Sequence, residues 1–169
     1  MGVHVLVTYG TKHGATKEIA EKIGQVLQES GLTVDVQNAR HVTDLTPYNA
    51  VVLGSGVYIG AWCKEAAAFL QANAEKLATL PVWIFSSGPT GAGDPKELVQ
   101  GQLLPKKLEP IVEHIGPRDV TMFHGSSAGN QNFIEKWMIK QIGASIGDFR
   151  DWEAITSWAR SVAEALARN

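Results

Sequence analysis

The stretch Val7-Thr8-Tyr9-Gly10-Thr11-Lys12-His13-Gly14-Ala15-Thr16-Lys17-Glu18 joins two segments of opposite patterning. Before it, Val3-His4-Val5-Leu6-Val7 is short, apolar and β-branched, which predicts a buried parallel strand. After it, Ile19, Ile23, Val26 and Leu27 share one stripe of a helix over about 15–29, and Gly31 supplies its stop. A strand, a turn rich in glycine and hydroxyls, and a helix form the opening of a βα unit. The helix start aims free N–H groups and the positive end of its dipole at the turn, which suits an anion. The hydroxyls of Thr11 and Thr16 can add to it, and Gly10 and Gly14 remove Cβ atoms where the backbone curls.

The other reading is an ordinary βα turn in which glycine serves geometry alone; a nucleotide-hydrolysing loop is not expected. That loop needs a Lys and a Ser/Thr directly after its last glycine, whereas Gly14 is followed by Ala15 and Thr16. The turn is not GxGxxG either.

Further along, Thr33-Val34-Asp35-Val36 alternates like an edge strand, and Ala50-Val51-Val52-Leu53 reads as a third strand. A helix over about 63–77 follows, then Pro81-Val82-Trp83-Ile84-Phe85 as a fourth strand. A helical stretch between 95 and 114 should break near Pro105. Val120-Thr121-Met122-Phe123 is the fifth strand, Phe133 to Ile142 is a helical patch, and Asp151 can cap a last helix. Strands alternate with helices and no linker or repeat divides the chain, so 1–169 reads as one domain with a helical insert at about 126–147. The pattern predicts an α/β doubly wound, five-stranded parallel sheet of order 2-1-3-4-5 with helices on both faces. Ligands then bind beyond the carboxyl ends of the strands, where the first, third and fourth strands all run into loops of small residues.

Other motifs compete with this reading. Gly54-Ser55-Gly56-Val57-Tyr58-Ile59-Gly60 looks like a relaxed dinucleotide fingerprint, but the next strand ends in serines and offers no acid for a ribose. The loop better suits a flat ring, approached closely at its glycines and stacked by Tyr58, although Tyr58 and Trp62 can equally be packing residues. Gly125-Ser126-Ser127-Ala128-Gly129 has the nucleophile-elbow form, yet no histidine follows it: His124 is the last of the five. A phosphoacceptor domain would need acids where Tyr9-Gly10 and Gly54-Ser55 stand. The histidines lack ligand spacing and Cys63 is alone, so no metal site is expected. His4 reads as a packed strand residue, and His13 as a donor to the anion. No side chain stands out as a general acid or base, and no catalytic residue is assigned.

Composition narrows the classes. Net charge is -2 and no basic face stands out, which argues against nucleic acid. A lone cysteine, no charged leader and no apolar run near ~20 residues point to a soluble cytoplasmic protein with at most peripheral membrane contact.

Together the three loops resemble the flavodoxin-like FMN-binding family over nearly the whole chain. The resemblance implies that Thr11, Gly14 and Thr16, with the backbone of Lys12, His13 and Ala15, hold an FMN phosphate. It implies that Ser55, Gly56, Val57, Tyr58, Ile59 and Gly60 form the first loop beside the flavin ring. Ser87, Gly88, Pro89, Thr90 and Gly91 form the second. That second loop has no aromatic, which leaves one ring face open. A glycine near 56–58 would let a peptide turn over when the ring takes up a proton. Phe133-Ile134-Glu135-Lys136-Trp137-Met138-Ile139-Lys140 and the Trp152, Trp158 helix resemble the branch that includes menaquinone-dependent protoporphyrinogen oxidase. That branch implies a porphyrinogen substrate, a quinone acceptor and a place in heme biosynthesis. Read from its residues alone, the 133–142 patch could face a quinone, a membrane surface or a partner, or simply cap the core. Two readings stay beside the enzyme: an FMN electron carrier with a protein redox partner, and a non-flavin hydrolase or binding domain.

Overall fold

The structure is a computed structural model that describes residues 2–127, 137 and 147–168. Strand β1 (His4–Gly10) leads through the opening turn into helix α1 (Ala15–Glu29). Strand β2 (Thr33–Asn38), a 3-10 turn (Ala39–His41) and strand β3 (Ala50–Tyr58) follow. Next come a two-residue strand β4 (Ala61–Trp62), helices α2 (Lys64–Ala72) and α3 (Ala74–Leu77), and strand β5 (Val82–Ser87). A short helix α4 (Pro95–Leu98), a 3-10 turn (Lys106–Leu108), helix α5 (Glu109–Ile115), strand β6 (Asp119–Phe123) and helix α6 (Trp152–Ala167) complete the order.

The sheet runs β2-β1-β3-β5-β6, all parallel, with β4 antiparallel to the end of β3. Setting the short β4 aside, this is the order expected from the sequence. The register places Gly10 beside Ser55 and Ser55 beside Ser86, so three small strand-end residues stand at one level.

Alternation along each strand supplies both faces. Val5, Val7, Val52 and Phe85 pack with Ile19, Ile23 and Leu27 of α1 and Ile155 and Val162 of α6. Leu6, Val51, Leu53 and Ile84 pack on the other face with Phe69, Leu70, Leu77 and Val112. Helices therefore cover both faces, as a wholly parallel sheet requires. Gly54 leaves room for a core ring: a Cβ there would lie 2.0 Å from Phe85.

The helix expected over 63–77 is two. Asn73 ends α2, and its side-chain amide donates to the Phe69 carbonyl at 2.9 Å, competing with the helix ladder. The break near Pro105 is present, and Asp151 caps α6 by accepting from Glu153 N and Ala154 N. His4 is half-buried and bonded to Asp35 at 3.1 Å, at the end of the sheet opposite the loops. The helical patch at Phe133 to Ile142 lies outside the described residues apart from Trp137, which is helical and exposed. No described helix is long and apolar enough to cross a membrane.

Candidate functional site: a cleft at the switch point

Beyond the ends of β1, β3 and β5 lies a cleft built from the turn after each strand. The turn after β1 contributes Thr11, Lys12, His13, Ala15 and Thr16. Gly14 stands behind them as the N-cap of α1, at φ 94° and ψ -7°. That left-handed conformation is strained for any residue with a Cβ. Its N–H donates to Thr11 Oγ1 at 2.9 Å, which curls the turn. Gly10 has a different role from the one its place in the motif suggests. A Cβ there would meet Ala66 Cβ at 2.8 Å and Cys63 Cβ at 2.9 Å, so the glycine lets α2 approach β1. The Thr11 N–H reaches Glu65 Oε1 at 3.4 Å.

The Thr16 hydroxyl lies 3.3 Å from Ser87 Oγ and is almost wholly buried, bridging the first turn to the end of β5. A Cβ on Gly56 would stand 3.0 Å from that same Thr16 oxygen. Gly88 would meet Val57 at 3.1 Å, and Gly125 would meet the Gly88 backbone at 3.0 Å. The loops thus close on one another through glycines, and their backbones line the cleft.

From the expected ring loops, Gly56, Val57, Tyr58, Ile59, Ser87, Gly88 and Thr90 line this cleft. Ser55, Gly60, Pro89 and Gly91 do not. Ser55 is a brace: fully buried, it accepts from Cys63 N at 2.9 Å and donates to Gly56 O at 2.8 Å. Pro89 O accepts from Gly125 N, and the His124 ring nitrogens lie 3.1 and 2.6 Å from Pro89 O and Gly93 O. His124 therefore ties both ends of the second loop to the end of β6.

The first ring loop is a tight hairpin. Val57 pairs with Trp62 and Tyr58 with Ala61, which leaves Ile59 and Gly60 as the two turn residues at φ 50° and 73°. Two positive φ values are the mark of a type I′ turn, which favours Asn-Gly over a β-branched residue. Ile59 holds that conformation while 52% exposed, an outlier of the sort found at functional sites. Gly56, by contrast, is paired with Ser87 in the sheet, and that ladder opposes the peptide turnover expected there. The glycine free of the ladder is Gly60, at the hairpin tip.

Tyr58 carries a buried hydroxyl with no hydrogen-bond partner among the described residues. Lys12 Nζ stands 3.8 Å over its ring, so one Tyr58 face is already covered by a cation. Cys63 also lines the cleft, and burial pushes its thiol up, away from the thiolate a nucleophile needs.

A further wall was hidden in the sequence. Gly125, Ser126 and Ser127 line the cleft, although their motif suggested only a nucleophile that lacked partners. Ser127 N donates to Gly147 O at 2.8 Å, Gly147 N donates to Ser127 Oγ at 2.9 Å, and Phe149 N donates to Gly125 O at 3.1 Å. The two ends of the 128–146 segment are therefore paired at the cleft. Arg150, 10% exposed, donates to Asp148 at 2.9 and 2.7 Å, to Ala15 O at 3.2 Å and to Glu18. The Asp148 hydrogen bonds hold its guanidinium further toward the charged form and its partner carboxyl below the ordinary range. Arg150 thus fixes the start of α1, and with it the turn after β1. Its only sequence signal was an arginine just before a helix cap.

A flavodoxin-domain family model matches residues 6–151. The chain belongs to the flavodoxin domain family. FMN is the cofactor that membership brings. Protoporphyrinogen IX dehydrogenase [quinone] of Escherichia coli K12 is 22% identical, over 94% of this chain and 93% of that protein. Oxidised flavodoxin 2 of Bacillus cereus shares the fold at a TM-score of 0.64 and 20% identity, covering 96% of this chain and 99% of that one. The rubredoxin oxygen:oxidoreductase of Desulfovibrio gigas aligns at a TM-score of 0.64 and 16% identity, over 98% of this chain but 36% of that one. No described group of His, Cys, Asp and Glu could hold a metal ion.

The cleft fits the cofactor on its own geometry. A hydroxyl-lined turn at a helix start suits a monophosphate, glycines at 56, 88 and 125 keep side chains out of the cleft wall, and the Tyr58 hydroxyl has no partner among the described residues.

Proposed function

We propose that the chain is an FMN-dependent oxidoreductase that oxidises a porphyrinogen-type substrate and passes the electrons to a quinone. The observation that carries this reading is the composition of the cleft wall. Among the described residues, Ser87, Gly88 and Thr90 offer no aromatic to cover the ring from the second loop, which favours a face open to a reacting molecule. The likeness to the Escherichia coli dehydrogenase along nearly the whole length supports the choice of substrate and acceptor.

The geometry supports the following roles. Thr11, Thr16 and the N–H groups at the start of α1 would hold the phosphate, with Arg150 fixing the turn from behind. Main-chain groups of Gly56 to Ile59 would meet the ring edge, and Tyr58 would offer its hydroxyl and remaining ring face. When bound, FMN supplies two-electron redox chemistry; the protein supplies binding, orientation and a shaped cleft. We assign no cleft residue as acid or base, since this reading places the chemistry on the cofactor.

The test is to load the protein with FMN and follow anaerobic oxidation of a porphyrinogen with a quinone acceptor. Turnover well above free FMN supports the enzyme. A protein that holds FMN but gives no such turnover refutes it and leaves an electron carrier. A protein that takes up no FMN refutes both.

A further inference from the structure

Beside the cofactor cleft lies a second, larger hollow of about 840 Å³. It shares Val57, Ile59 and Gly88 with the cleft, so the two meet at the first ring loop. Trp62 and Ala67 form one side, and Leu103 and Leu104 of the segment before α5 form the other. The Trp62 indole is fixed by its donation to Ser86 Oγ at 2.8 Å. The lining is mostly apolar, and its only charges among the described residues are two adjacent lysines, Lys106 and Lys107. Both are exposed, and no ion pair joins either to a described carboxylate. Two lysines facing an apolar hollow in a chain of net charge -2 are a local reversal of sign. Apolar walls with a few polar groups at one edge are the usual form of a small-molecule site, and the volume suits a large one.

We infer that this groove binds the reduced substrate as a broad apolar molecule bearing carboxylates, its apolar body against Trp62 and the leucines and its carboxylates on Lys106 and Lys107. The inference rests on the redox reading above in one respect: it takes the groove's ligand to be the electron donor. Charge decides between donor and acceptor. A neutral quinone leaves both lysines without a partner, whereas a carboxylated ring uses them. The strained hairpin gains a reason here. Ile59 lines both spaces, so its exposed side chain stands at the boundary that the donor must approach.

The probe is a dicarboxylic porphyrin, the stable oxidised counterpart of the proposed donor, titrated calorimetrically into FMN-loaded protein. Lys106→Gln/Lys107→Gln should weaken binding about tenfold, the sum of two half-exposed charge pairs. Lys22→Gln/Lys76→Gln changes net charge equally, away from the groove and the cleft, and should leave binding unchanged. Ala67→Phe should block the groove sterically while FMN affinity stays as in the parent. Porphyrin binding that survives both the lysine pair and Ala67→Phe overturns the inference, as does an equal loss in the control pair. Binding that follows these expectations without turnover refutes the enzyme reading and leaves the site standing. Turnover undiminished in both groove variants does the reverse.

Discussion

Replacing Thr16 with valine isolates one hydroxyl at the heart of the proposed phosphate site. The side chain is 3% exposed, valine has nearly its shape, and both are β-branched residues of similar helix propensity. The apoprotein loses only the contact to Ser87 Oγ, which is long at 3.3 Å, so its stability should fall by about 0.5–1 kcal/mol. With FMN the loss is larger, because a hydrogen bond to a charged acceptor is worth roughly 1.5–3 kcal/mol. That corresponds to about a ten- to hundredfold rise in Kd. The assay is quenching of flavin fluorescence on titrating apoprotein, run in parallel with FMN and with riboflavin, which lacks the phosphate. FMN affinity should fall and riboflavin affinity should not. Ser87→Ala breaks the same protein contact but keeps the Thr16 hydroxyl, and should cost far less FMN affinity. An equal loss for both flavins, or no loss, would refute the assignment of Thr16 to the phosphate.

Arg150→Met keeps the aliphatic stem but removes its hydrogen bonds to Asp148, Glu18 and Ala15 O. It should lower stability by roughly 1–3 kcal/mol in thermal unfolding and weaken FMN more than riboflavin. Asp148 is held below the usual carboxyl range by Arg150, so its contribution is present above the unfolded value and is lost as pH falls through the folded one. Stability should therefore drop below about pH 4, and Asp148→Asn should shrink that drop while lowering stability at neutral pH. Ile59→Asn relieves a β-branched residue at φ 50° and should raise stability by about 1 kcal/mol, while weakening porphyrin binding in the titration above. Gly10→Ala should destabilise by roughly 1–3 kcal/mol, because its Cβ meets carbon atoms of Ala66 and Cys63 that cannot easily yield.

The sheet was legible because its signals are local. Val5 to Val7, Val51 to Leu53 and Val82 to Phe85 are buried on both faces and read as unbroken apolar runs. The turn after β1 was legible for the same reason: Thr11, Gly14 and Thr16 lie within a few residues of one another, and Gly14 N donates to Thr11 Oγ1. The remaining walls depend on distance in space. Gly125 to Ser127 reach the cleft only because β6 lies next to β5, and Arg150 reaches Ala15 O across the fold. Glycine was ambiguous, since one residue type makes room for a helix at Gly10, a core ring at Gly54 and a turn at Gly14. The hairpin at Ile59 was hidden because isoleucine is a poor turn former, and its strain is visible only in φ. The break at Asn73 went unread because apolar periodicity continues across it to Leu77.

The pairing of 125–127 with 147–149 changes how the family can vary. Because those ends are already joined by their own hydrogen bonds, closing whatever lies between them costs only slowly more as it lengthens. The junction is therefore a socket beside the cleft: it can seat attachments of different length between two ends that the fold already holds together.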